Sequence, residues 1–63
     1  MERGFCTFTE SPSGTQIVVN VSLVRYVRPD QQGTSTIYFD NQMTLLVQGD
    51  VKQVLQLMRN AFN

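Results

Sequence analysis

Helical periodicity occurs once in this chain, at its end. From Val51 onward the apolar residues fall at Val51, Val54, Leu55, Met58, Ala61 and Phe62, the series of one helical face, and Leu57 widens the stripe. Asp50 stands at the N-cap position with Gln53 three residues on, the pair that forms a capping box. Arg59 lies near the C-terminal end, where a cation suits the helix dipole. One helix of this length covers one face of a small sheet and no more. Whatever the rest of the chain builds therefore has a second face to account for.

The rest reads as strands. Ser35 to Asp40 alternates, with Ile37 and Phe39 on one side and Thr36, Tyr38 and Asp40 on the other, and Met43 to Gln48 follows as its partner. A two-residue loop at Asn41-Gln42 would set Phe39 opposite Thr44. A three-residue loop at Asp40-Asn41-Gln42 puts Met43 and Leu45 on the face of Phe39 and Ile37, gathers more apolar residues, and is the favoured register. Upstream, Ser11-Pro12-Ser13-Gly14 is a dense turn signal between Phe5 to Glu10 and Thr15 to Asn20, which reads as a hairpin. Asn20 can cap a single turn before Arg25 to Arg28 resumes as a strand, and Pro29 to Gly33 closes that strand with a loop. The expected fold is α+β: a small, mostly antiparallel sheet of four to five short strands with one C-terminal amphipathic helix packed on one face. Sixty-three residues make it a single domain, 1–63, with no internal repeat or linker.

On this plan Val18, Tyr38 and Leu46, with Tyr26 if its strand is regular, point away from the helix. A solvated sheet face normally carries Lys, Glu and Thr, so these four are the interface candidates. Tyr26 and Tyr38 are open to two readings, ordinary cross-strand packing or a self-complementary contact. Size leaves room for a second stabiliser without demanding one, since burial in so short a chain barely offsets the entropy of ordering it. With Cys6 the only cysteine and no histidine, neither an internal disulfide nor a Cys/His zinc site can supply it. Self-association remains, and a homodimer is the expected partner state.

Chemistry is hard to place. Acid-base work at neutral pH without histidine falls to carboxylates, Cys6, Lys52 or tyrosine. Asp30 sits in a loop, Asp40 in a turn and Asp50 at a helix start, and each place already explains its residue. Cys6, between Phe5 and Phe8, reads as a small buried residue, with no cation placed to lower its pKa. No nucleophile elbow or phosphate-binding glycine loop is present. No enzyme, cofactor or metal is expected. Five basic and five acidic residues cancel, so no long-range field draws nucleic acid. The nucleic-acid alternative rests on Arg25 and Arg28 flanking Tyr26, where cations could hold phosphates while a base stacks on the ring. The N-terminus Met1 to Phe5 reaches no apolar leader core and no run is long enough to span a membrane, so a cytoplasmic protein is expected.

Ile17, Val19 and Asn20, Val24 and Val27 at a three-residue spacing, Thr36 and Ile37 near a strand start, the Asp40-Asn41 turn, Val47, and Val54 and Met58 in the closing helix form a pattern from Gly14 to Phe62. In that pattern the chain resembles the small flagellar proteins of the FlbD type. The resemblance implies an accessory, non-enzymatic role in motility. A bacterial or phage protein of the same architecture outside that family fits the residues as well. The functional expectation is a non-enzymatic protein-protein interaction module, a homodimer that presents a sheet face or edge to a partner.

Overall fold

The computed structural model describes residues 3–40 and 42–63. Met1 and Glu2 of the N-terminal segment, and Asn41 of the Asp40-Asn41 turn, lie outside the described residues. The order is β1 (Phe5–Thr9), β2 (Gln16–Asn20), a 3-10 turn (Val21–Leu23), β3 (Val24–Pro29), β4 (Thr34–Phe39), β5 (Thr44–Gln48) and α1 (Val51–Asn60). The α+β class and the helix position are as expected.

The strands form two antiparallel sheets, β1-β2 and β3-β4-β5, where one sheet was expected. Among the described residues strand pairing links the two at one bridge, between Glu10 and Val47, and the Ser11 N–H donates to the Leu46 carbonyl at 2.9 Å. Pairing stops there because the chain turns at once, with the Gly14 N–H closing back on the Glu10 carbonyl at 2.8 Å. Splitting the sheet lets both inner faces and the helix enclose one core. Cys6, Phe8 and Val19 come from the first sheet, Ile37 and Val47 from the second, and Val54 and Met58 from the helix. Buried Ser35 is satisfied by donating to the Gly49 carbonyl at 2.8 Å.

Local signals act as the residues dictate. The three-residue register holds: Ile37 faces Leu45, Tyr38 faces Thr44, and the Phe39 N–H donates to the Met43 carbonyl at 2.9 Å. Gln42 takes the left-handed conformation, φ +63°, that closes such a loop. Leu45 joins the core rim, but Met43 does not pack under Phe39 as expected. It sits at the hairpin tip, beyond the last core residue, and is 64% exposed. In β3 a bulge between Val24 and Tyr26 takes up one residue, which brings Val24 and Val27 to the same inner side despite their three-residue spacing.

The Asp50-Gln53 capping box is complete, at 2.9 Å in both directions. At the other end the N-terminal segment closes the helix: the Gly4 N–H donates to the Ala61 carbonyl at 2.7 Å and Arg3 Nη2 to the Phe62 carbonyl at 2.8 Å. Gly4 makes that approach at φ +88°, a conformation that favours glycine. The apolar stripe is narrower than its periodicity implies. Val54 and Met58 are buried and Val51 and Ala61 half-buried, whereas Leu55, Leu57 and Phe62 face outward. A core closed by two sheets leaves the helix only a thin contact to make.

Candidate interaction surface

Three of the four expected interface residues share one surface. Tyr26 and Tyr38 are cross-strand partners whose rings stack at 4.5 Å between centroids and 13° between planes. Thr36 carries this face on to Leu46, its partner on β5. Tyr26 is exposed, while Tyr38 and Leu46 are half-buried. Val18 is not part of that surface. It lies on β2, in the other sheet, 59% exposed.

The two arginines flank the tyrosine stack as the sequence implies, but one is engaged. Arg25 occupies the β3 bulge and its Nε lies 3.5 Å from Asp40 Oδ1. Arg28 faces Thr36 across the strand pair, and Thr36 Oγ1 is held by Asp30 Oδ2 at 2.8 Å. Each tyrosine has one ring face covered by the other. What remains for a nucleic acid is the outer face of each ring, with Tyr38 half-buried, and the Arg28 guanidinium.

Val18 instead borders an apolar groove of about 510 Å³ that the sequence did not reveal. One wall is Ile17, Val18, Val19 and Asn20, with Leu23 of the 3-10 turn; the other is Phe39, Asp40, Met43, Thr44 and Leu45. Successive side chains on a strand point to opposite faces, so a groove that touches four residues in a row runs along the strand's edge. β1 occupies the other edge of β2, and its ladder shows which backbone groups are left. The Val21 N–H donates to the Gly4 carbonyl and the Glu10 N–H to the Thr15 carbonyl, both at 2.8 Å, in the register that pairs Cys6 with Val19 and Phe8 with Ile17. Hydrogen-bonded pairs alternate along an antiparallel ladder, so residues 15, 17, 19 and 21 bond inward to β1. The N–H and C=O groups of Gln16, Val18 and Asn20 therefore face away from β1, and Val18 and Asn20 also line the groove.

On the opposite wall Met43 and Leu45 bond toward β4, so the backbone groups of Thr44, which also lines the groove, point away from β4. Leu23, 58% exposed, and Met43 stand at the rim with Val18. Leu23 is placed by Asn20, whose Oδ1 accepts from the Ser22 N–H at 3.1 Å and from the Ser22 hydroxyl at 2.7 Å. Sequence reasoning named the cap and overlooked the leucine it presents. One signal was available: an apolar side chain in a single isolated turn has no helical neighbour to cover it.

Elsewhere the described residues offer little chemistry. No group of three or more His, Cys, Asp or Glu side chains among them is placed to share a metal ion. Cys6 is buried on the inner face of β1 beside a recess of about 340 Å³, and burial pushes its thiol pKa up, which keeps it protonated and weakly nucleophilic. No helix among them is long and apolar enough to cross a membrane. No protein-family model matches the chain, and no curated protein or solved structure matches it either.

Proposed function

We propose that this chain is a non-catalytic protein-interaction module, and that it binds by accepting an extended segment along the free edge of β2. The observation that carries this is the coincidence of an apolar groove with a row of outward-facing backbone groups on β2. Main-chain hydrogen bonds supply affinity in such strand addition, and apolar side chains beside the edge supply specificity. A groove lined by apolar groups with a few convergent polar ones is also the general form of a binding site. The edge is fit for pairing in composition as well: Gln16-Ile17-Val18-Val19-Asn20 is β-branched at its centre and carries no charge and no proline.

Two double substitutions test this against the outer tyrosine face. Leu23→Lys with Met43→Lys places charge in the groove; Tyr38→Lys with Leu46→Lys places it on the outer face. Each is read by sedimentation velocity, and by amide shifts when dilute protein meets a lysine-flanked synthetic peptide containing Gln-Ile-Val-Val-Asn. The groove pair is expected to abolish peptide-induced shifts at residues 16–20 together with any self-association, and the face pair to leave both. The opposite pattern moves the site to the tyrosine face and ends the proposal.

A further inference from the structure

We infer that the segment filling the β2 edge is β2 of a second copy, paired antiparallel about a two-fold axis that passes through Val18. This rests on the preceding proposal that the β2 edge is the docking edge.

Three observations select a second copy. The first is register. The outward-facing residues of β2 are Gln16, Val18 and Asn20, and antiparallel pairing centred on Val18 sets Gln16 against Asn20 of the second copy, Val18 against Val18, and Asn20 against Gln16. Every outward donor then meets an outward acceptor and no residue is left out of step. Such a contact is isologous and closes on itself, so it stops at two copies. The second is charge. The segment is uncharged and the whole chain carries a formal net charge of zero, so two copies meet without like charges opposed or long-range repulsion. A partner chosen by charge would require some charge on the wall, and the one acid there, Asp40, is already paired with Arg25.

The third is the contrast with the other free edge. β3 ends the second sheet, and by the bond from the N–H of Asp30, just past the strand, to the Thr34 carbonyl its residues 26 and 28 bond inward to β4. The outward position at 29 is a proline, which has no N–H to offer, while the bulge at Val24–Tyr26 breaks the line of the edge and exposed Arg25 and Arg28 charge it. Those are the devices by which sheets prevent pairing. β2 has none of them. One chain that guards one edge by three means and leaves the other flat, neutral and β-branched presents β2 for pairing. Its five residues span about 17 Å, an ordinary strand length for a two-fold ladder.

In the dimer the two β1-β2 sheets join as one four-stranded sheet in the order β1-β2-β2-β1. The two Val18 side chains touch across the axis on the outer face, and Ile17 of each copy meets Val19 of the other on the inner face.

The test uses the full chain and the axis. The mass of the parent, by light scattering over a concentration series, is expected to rise from one chain to two and no further. Val18→Lys and Val18→Glu each set like charges against each other at the axis and weaken the dimer by at least about tenfold. Mixed in equal amounts, the two variants regain a dimer, because each copy now meets its opposite charge. Val18→Thr, neutral and β-branched, keeps the dimer and shows that the site tolerates substitution. A parent that stays monomeric at every concentration while the Gln-Ile-Val-Val-Asn peptide still shifts residues 16–20 overturns the second copy and leaves the edge standing. A parent dimer that both charged variants retain, with no effect of mixing, overturns the edge and the second copy together.

Discussion

β2 and β3 are the two strands that end the pairing series β2-β1-β5-β4-β3, and each has one edge that no strand covers among the described residues. They are opposite in almost every respect that governs edge behaviour. β3 is bent by a bulge, carries Arg25 and Arg28, lacks a donor at Pro29, and runs close to α1. β2 is regular over all five residues and opens on an apolar groove. An exposed strand edge is a hazard that folded proteins suppress, and one domain has here suppressed only one of two. The difference teaches that exposure by itself is a poor guide to a binding surface. Tyr26 on the guarded side is 50% exposed and Val18 on the open side 59%, yet only beside Val18 do free backbone groups and apolar lining coincide.

The two sides should also differ in how far they lean on the core, and that gives the largest effect. Phe8 is 1% exposed and pairs with Ile17, so it is the main support beneath β2. Phe8→Ala is expected to cost about 3–5 kcal/mol, against a total stability of roughly 3–9 kcal/mol for a domain of this size. Val27, half-buried beneath β3, loses only about 1 kcal/mol on change to alanine. Urea unfolding of the two variants measures both. Equal losses would break the comparison, since β2 would then be held no more firmly by the core than β3.

Making β3 resemble β2 is the next test in size. Arg28→Thr with Pro29→Val restores a donor on the outward edge and removes a charge, without touching a core residue. Light scattering is expected to show masses above that of a dimer at high concentration, because each copy then has two edges open to pairing. If the mass does not change, the bulge and the neighbouring helix guard β3 by themselves.

Much of this fold could be read from the sequence because its signals are local. The Asp50-Gln53 box, the Asn20 cap, the hairpin over Ser11 to Gly14 and the three-residue loop before Met43 each depend on residues a few positions apart. Even the β3 bulge left a trace, in two valines spaced by three where a regular strand would space them by two. The division into two sheets left none. It depends on how far β1 and β5 pair, which stops at the bridge between Glu10 and Val47, residues 37 positions apart that carry no mark of their pairing. The short extent of that long-range pairing decides that Val18 stands on a different sheet from Tyr26, Tyr38 and Leu46. The groove was hidden for the same reason, since its walls come from β2 and from the β4-β5 hairpin. The face-by-face reasoning that placed Val18 with the tyrosines assumed one sheet; parity along a strand gives the side but not which sheet that side belongs to.

The smallest effect concerns Arg25, and it asks whether the guard on β3 is also part of the scaffold. The residue occupies the bulge and reaches Asp40 through Nε alone, at 3.5 Å, with both side chains largely in water. An exposed ion pair with a single contact gains little Coulomb energy and must order a long side chain, so Arg25→Ala is expected to change stability by no more than about 0.5 kcal/mol, and by less in high salt. Urea midpoints at low and high ionic strength measure this. A charge kept at an edge without contributing to the fold is what protection against pairing requires: its work is done on an approaching strand, and not on its own sheet. A loss above about 1 kcal/mol that salt does not reduce would show the reverse. The bulge between Val24 and Tyr26 would then depend on the arginine for its shape, and the irregularity that distinguishes β3 from β2 would be a structural requirement before it is a defence.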